Sequence, residues 1–127
     1  MLESLDITRM ATALADHAAK RLDLIARNVA QADTPAYKAM DLPDFAQVYG
    51  ETAGQGMRAT RPGHLNGAGT ALEPDAQPSK GEASPNGNTV SVEREMVKSA
   101  MVRQDHEMAL AVYRSTQDIL RASIGRK

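Results

Sequence analysis

Arg21-Leu22-Asp23-Leu24-Ile25-Ala26-Arg27-Asn28-Val29-Ala30-Gln31-Ala32-Asp33-Thr34-Pro35-Ala36-Tyr37-Lys38 joins an apolar helical repeat to a cluster of polar residues and a proline. Leu22, Ile25 and Val29 recur at the spacing of one helix face. Asn28, Gln31, Asp33 and Thr34 then gather side chains that bond readily to nearby backbone groups. Pro35 drives Thr34 out of the α region, which predicts that the helix stops at Ala32 or Asp33. The quoted segment is therefore the last turns of an amphipathic helix, an abrupt stop and an extended exit.

Upstream, Ile7, Ala11, Leu14, Ala18, Leu22, Ile25, Val29 and Ala32 follow steps of three and four, a coiled-coil-like seam thinned by alanine. Arg9, Asp16, Lys20, Asp23 and Arg27 occupy the opposite face. Ser4 or Asp6 is the expected N-cap, with Glu3 and Asp6 matching the positive end of the helix dipole. Such a helix, roughly 40 Å long, cannot hide its own apolar stripe.

Downstream, Tyr37 to Pro43 reads as an extended segment. Asp44 is placed to cap a short helical turn that shows Phe45, Val48 and Tyr49 on one side. Phe45, the only Phe, is read as a plug at the end of a helix pair. Eight of the nine Gly and four of the six Pro fall between Gly50 and Thr89, where no periodicity is sustained. Gln55 to Leu65 has room for a short strand or a turn, and Asn66-Gly67 is a tight-turn dipeptide. Pro74, Pro78 and Pro85, set among Ser, Gly and Asn, read as linker or disorder.

The second arm opens with Ser91 as N-cap and Glu93 and Glu95 in the first turn. Val97, Met101, Gln104, Met108, Val112, Ser115 and Ile119 supply a second seam, and Gly125 a natural stop. The expected architecture is all-α: N- and C-terminal helices pair as a coiled-coil-like hairpin around a long middle segment that is flexible or partly β. Three regions follow: 1–36, a helix and turn; 37–89, an extended segment and a Gly/Pro-rich insert; and 90–127, the second helix. The contacts expected to hold the helices together are Leu14, Leu22, Ile25, Val29, Val97, Met101, Met108, Val112 and Ile119.

Composition excludes several function classes. The net charge of −1 offers no reason to expect nucleic acid or an anionic membrane as partner. No segment approaches the length of a membrane-spanning helix, and no stable insertion is expected. Charges spread through the N-terminus leave no apolar signal region. With no Cys, disulfides and thiolate sites are absent. His17, His64 and His106 form no pair at metal-ligand spacing, so no metal site is expected. Glu93 and Glu95 point to different sides of a helix and match the dipole better than an acid–base pair. No Ser sits in a nucleophile motif, and Gly54-Gln55-Gly56 lacks the setting of a phosphate loop. Neither a catalytic residue nor a cofactor is expected, and the chain is read as a non-enzyme.

The run Ile25-Ala26-Arg27-Asn28-Val29-Ala30-Gln31-Ala32-Asp33-Thr34-Pro35-Ala36-Tyr37-Lys38 resembles the N-terminal signature of bacterial flagellar basal-body rod and hook proteins. That signature reads roughly Ile-Ala-x-Asn-Ile-Ala-Asn-x-x-Thr-Pro-Gly-Tyr-Lys; Gln31 stands for an Asn and Ala36 for the Gly. Asn88-x-Val90-x-x-x-x-Glu95-Met96 resembles the C-terminal signature of the same family. The Thr60-to-Leu65 segment and both chain ends look most like its proximal-rod branch. The resemblance implies a structural subunit of the proximal rod, which crosses the periplasm and transmits torque. It implies synthesis in the cytoplasm and export through the flagellar type III apparatus without signal cleavage. The implied partners are other proximal-rod proteins, the membrane-ring junction protein, the export gate and further copies of the chain. Asn28, Thr34, Pro35 and Tyr37 become the signature turn. Phe45-x-x-x-Tyr49 resembles the short motif that engages the export gate, a second reading beside that of a structural plug. A helical binding module, such as a cytosolic adaptor or export chaperone, would share the helix pair and polar loop, and secretion separates the two.

Overall fold

The computed structural model describes residues 2–53 and 74–125, which are mostly helical. In chain order they form α1 (Leu2–Ala30), β1 (Met40–Asp41), α2 (Phe45–Ala53), β2 (Gln77–Pro78) and α3 (Val92–Ile124). The expected strand or turn in Gln55–Leu65 and the Asn66-Gly67 turn lie outside the described residues.

α1 and α3 run antiparallel and pack along their length. Asn28 near the end of α1 meets Glu95 near the start of α3. Ala18, Ile25 and Val102 form the buried core, with Leu22 packed against it. Ala11, also on α1, and Ala109, on α3, are almost fully enclosed. The small side chains let the two backbones approach closely, and the apolar area removed from water is correspondingly modest.

Helix ends follow their local chemistry. α1 already runs at Leu2, upstream of both expected caps, and Asp6 instead pairs with Arg9 across one turn at 3.7 Å. Its last full turn ends at Ala30, two residues early, because Ala32 and Thr34 donate to the carbonyls of Val29 and Gln31 in tighter three-residue steps. Ser91 caps α3, its hydroxyl accepting from the Arg94 N–H. At the other end Gly125 donates its N–H to the Arg121 carbonyl with a negative φ, so the stop does not use glycine's left-handed freedom.

The segment expected to be linker around Pro78 and Pro85 is instead built into the fold. β1 pairs antiparallel with β2, Met40 opposite Pro78 and Asp41 opposite Gln77. Farther along, Ala36 donates its N–H to the Asn86 carbonyl and Thr89 donates to that of Tyr37. The exit from α1 and the entry to α3 thereby lie side by side. Ala36 holds φ at 61° and Gly87 holds φ at 80°, with the Ala36 Cα 3.4 Å from the place where a Gly87 Cβ would sit. The departure from Gly at position 36 therefore puts an alanine in the left-handed region, where L side chains are disfavoured.

Candidate functional site

Two features stand out: a polar knot where the helices meet their connections, and an apolar stripe on the outer side of α3. The knot starts at Asn28, which is fully buried. Its amide nitrogen donates to the Met40 carbonyl at 2.8 Å and to Glu95 Oε2 at 2.9 Å. Its oxygen accepts from the Met40 N–H at 3.0 Å and from the Tyr37 hydroxyl at 3.3 Å. One side chain thus ties α1 to β1, the turn and α3.

Glu95, also buried, passes the connection on. Its Oε1 accepts from Lys98 Nζ at 3.0 Å, and the same ammonium lies 3.1 Å from Asp41 Oδ2. Arg21 donates to both Asp41 oxygens, at 2.8 and 3.2 Å. Burial acts to raise the Asp41 pKa, but hydrogen bonds and charge from Arg21 and Lys98 outweigh it and hold the carboxyl below its ordinary value. Lys98 loses solvation yet is held above its ordinary value by Glu95 and Asp41. No buried side-chain polar atom among the described residues lacks a partner.

Asn88 closes the other half of the knot. Its amide nitrogen lies within 2.9 Å of the carbonyls of Gln31, Ala32 and Thr34, in the turns that follow α1, and its oxygen accepts from the Val90 N–H. The second arm therefore fastens the exit from the first helix. Of the other signature residues, Tyr37 reaches the knot through its hydroxyl, while Thr34 bonds only to Gln31 through its side chain and Pro35 is exposed.

Phe45 and Tyr49 stack on one face of α2 with ring centroids 5.2 Å apart. Phe45 meets His17 edge-on at 5.7 Å, beside the middle of α1 rather than at the end of the helix pair. The His17 Nε2–H donates to the Pro43 carbonyl at 3.0 Å. Burial lowers the His17 pKa, with a smaller push in the same direction from Arg21. Among the described residues no cluster could hold a metal ion, and no helix is long and apolar enough to cross a membrane.

The contacts expected between the helices divide sharply. Ile25 is buried, and Leu14 and Leu22 are half-buried. Val29 is exposed, and its neighbour Asn28 is the buried residue of that turn. On α3 the expected seam faces the wrong way for a contact with α1: Val97, Met101, Met108, Val112 and Ile119 are 38–63% exposed. The buried positions are Glu95, Val102, Ala109 and Thr116, spaced seven apart. Apolar periodicity pointed to the more greasy stripe. The inner seam, carrying a Glu, a Thr and an Ala, gives that pattern little to find. An open groove of about 440 Å³ also runs beside the helix contact, lined by Leu22, Ile25, Val29 and Met96 among others.

Comparison with known proteins bears on both ends of this arrangement. No family model matches the chain. A flagellar basal body rod protein FlgB of Agrobacterium fabrum is 27% identical over 131 residues, an alignment covering 98% of this chain and 97% of the relative. The chain resembles FlgB end to end. The likeness to FlgB spans both helical arms and the middle segment, so it includes the two elements that build the knot.

Proposed function

We propose that this chain is a structural, non-enzymatic subunit of the bacterial flagellar basal-body rod, built into the axial tube through its terminal helices. The observation that carries the proposal is the outer stripe of α3. Val97, Met101, Met108, Val112 and Ile119 present a long apolar surface to solvent on a chain whose own core is thin. A second helix from a neighbouring subunit would bury that surface. Methionine supports the reading, because its flexible thioether adapts to more than one partner. The full-length similarity to a rod protein supports the placement in the basal body. Other proximal-rod proteins, the membrane-ring junction protein and further copies of this chain are the partners proposed.

Export through the flagellar type III apparatus without signal cleavage belongs to the same proposal. Phe45 and Tyr49 are stacked on each other in the folded chain, with Phe45 against His17, so a gate contact through this pair requires the fold to open first. Absence of Cys and a small core are compatible with passage as an unfolded chain.

Incorporation into basal bodies tests the assignment. Met101→Asp combined with Met108→Asp places charge on the outer stripe and leaves the α1 contact alone. The variant is expected to be made, to fold with wild-type helicity and to be missing from purified rods, leaving cells non-motile. Normal incorporation and motility would refute the role given to this surface.

A further inference from the structure

We propose that the Asn28–Glu95 contact is a face selector: it turns the less apolar side of α3 toward α1 and keeps the more apolar side outward. The inference concerns the packing of the single chain and stands whether or not that chain is a rod subunit.

α3 carries two stripes along its length. One contains the buried Glu95, Val102, Ala109 and Thr116; the other contains the exposed Val97, Met101, Met108, Val112 and Ile119. At 3.6 residues per turn the stripes are separated by roughly 100° around the helix axis, the angle between the adjacent residues Met101 and Val102 and again between Met108 and Ala109. Apolar burial alone favours docking the second stripe on Leu22 and Ile25, since it would remove more hydrocarbon from water. The observed packing does the reverse, so some other interaction must decide the rotation.

The polar contacts at the start of α3 supply that decision. Glu95 accepts from Asn28 and from Lys98, and Lys98 reaches Asp41. Rotating α3 by the angle between the stripes would carry Glu95 away from Asn28. The Asn28 amide would then keep its bonds to Met40 and Tyr37 but lose its acceptor on α3, inside a site that water does not reach. A buried polar contact that sets register and orientation at the expense of apolar contact is a known device of paired helices. Here the alternative excluded is a rotation of one helix against its partner within one hairpin.

The test replaces both partners, Asn28→Leu with Glu95→Leu, in the full chain. Hydrogen peroxide oxidation, read peptide by peptide in a mass spectrometer, reports which methionines face water, with Met10 on α1 as internal reference. In the wild-type monomer Met101 and Met108, 60% and 52% exposed, should oxidise readily. In the double variant both should slow at least about fivefold as α3 rotates to bury them. Unchanged oxidation of Met101 and Met108 in a folded double variant would overturn the proposal. If the double variant does not fold, Met101→Gln and Met108→Gln are added to weaken the competing stripe. Recovery of helicity and cooperative melting then supports face selection, and failure to recover overturns it.

Discussion

Asn28→Ala is the perturbation that should cost this chain most. The side chain is fully buried and uses all of its amide capacity, two bonds donated and two accepted. Its removal strands the Met40 N–H, which as an orphaned buried donor costs about 1–3 kcal/mol. The hydrogen bond to the Glu95 carboxylate is charge-assisted, with a net value of about 1.5–3 kcal/mol. Relaxation recovers part of this, so the expected loss is about 3–4 kcal/mol, a large share of the stability of a small domain. Urea denaturation followed by circular dichroism at pH 7 measures it, provided the transition remains two-state. Asn28→Asp supplies the sharper control, because it keeps the shape and sets a second carboxylate against Glu95. That group would be protonated more readily in the folded chain than in the unfolded one. Its stability should therefore rise as pH falls toward 4, where wild-type stability does not. A loss below about 1 kcal/mol for Asn28→Ala, or a pH response of Asn28→Asp that parallels the wild type, would refute the role assigned to the knot.

Ala36→Gly should stabilise the fold by about 0.5–1 kcal/mol, since removing left-handed strain outweighs the added freedom of the unfolded glycine; a thermal melt with no upward shift would contradict this. Wild-type stability should also decline in two separate acid steps. His17 is depressed in the folded chain, so its contribution is complete above its ordinary value of 6.5 and falls as pH drops through that value toward the folded one. Asp41 is likewise depressed, so its contribution is present above its ordinary value of 3.8 and is lost only as pH falls through the lower folded value. His17→Gln should abolish the first step and leave the second, as read by chemical denaturation from pH 8 to pH 3.

The legibility of this fold in its sequence tracked how burial is achieved. α1 could be read because Ala11, Ala18 and Ile25 form a continuous apolar line with acidic and basic residues opposite. The hairpin and the sharp stop after it followed from Pro35 and the polar cluster before it. α3 misled because its apolar residues and its buried residues are different sets. Glu95 and Thr116 are buried with their polar groups satisfied inside the fold, Thr116 bonding back to the Val112 carbonyl. Periodicity of hydrocarbon cannot register such positions. Asn88 escaped for a related reason, since it binds carbonyls 54–57 residues away in sequence, beyond any local capping rule. One signal was available. Asn28 lies three residues after Ile25, in phase with the seam of α1, and a polar residue at such a place marks a buried partner elsewhere. Arg21, Asp41 and Lys98 carry no comparable local mark and become visible only when β1 is laid between the helices.

On the proposed function, the outer stripe of α3 is an association surface left exposed by the single chain. Sedimentation velocity over a wide range of protein concentration tests it most directly, comparing the wild-type chain with the Met101→Asp, Met108→Asp variant. The wild-type chain should associate as concentration rises, and the variant should remain monomeric with the same helicity. A wild-type chain that stays monomeric and fully helical at every concentration would contradict it.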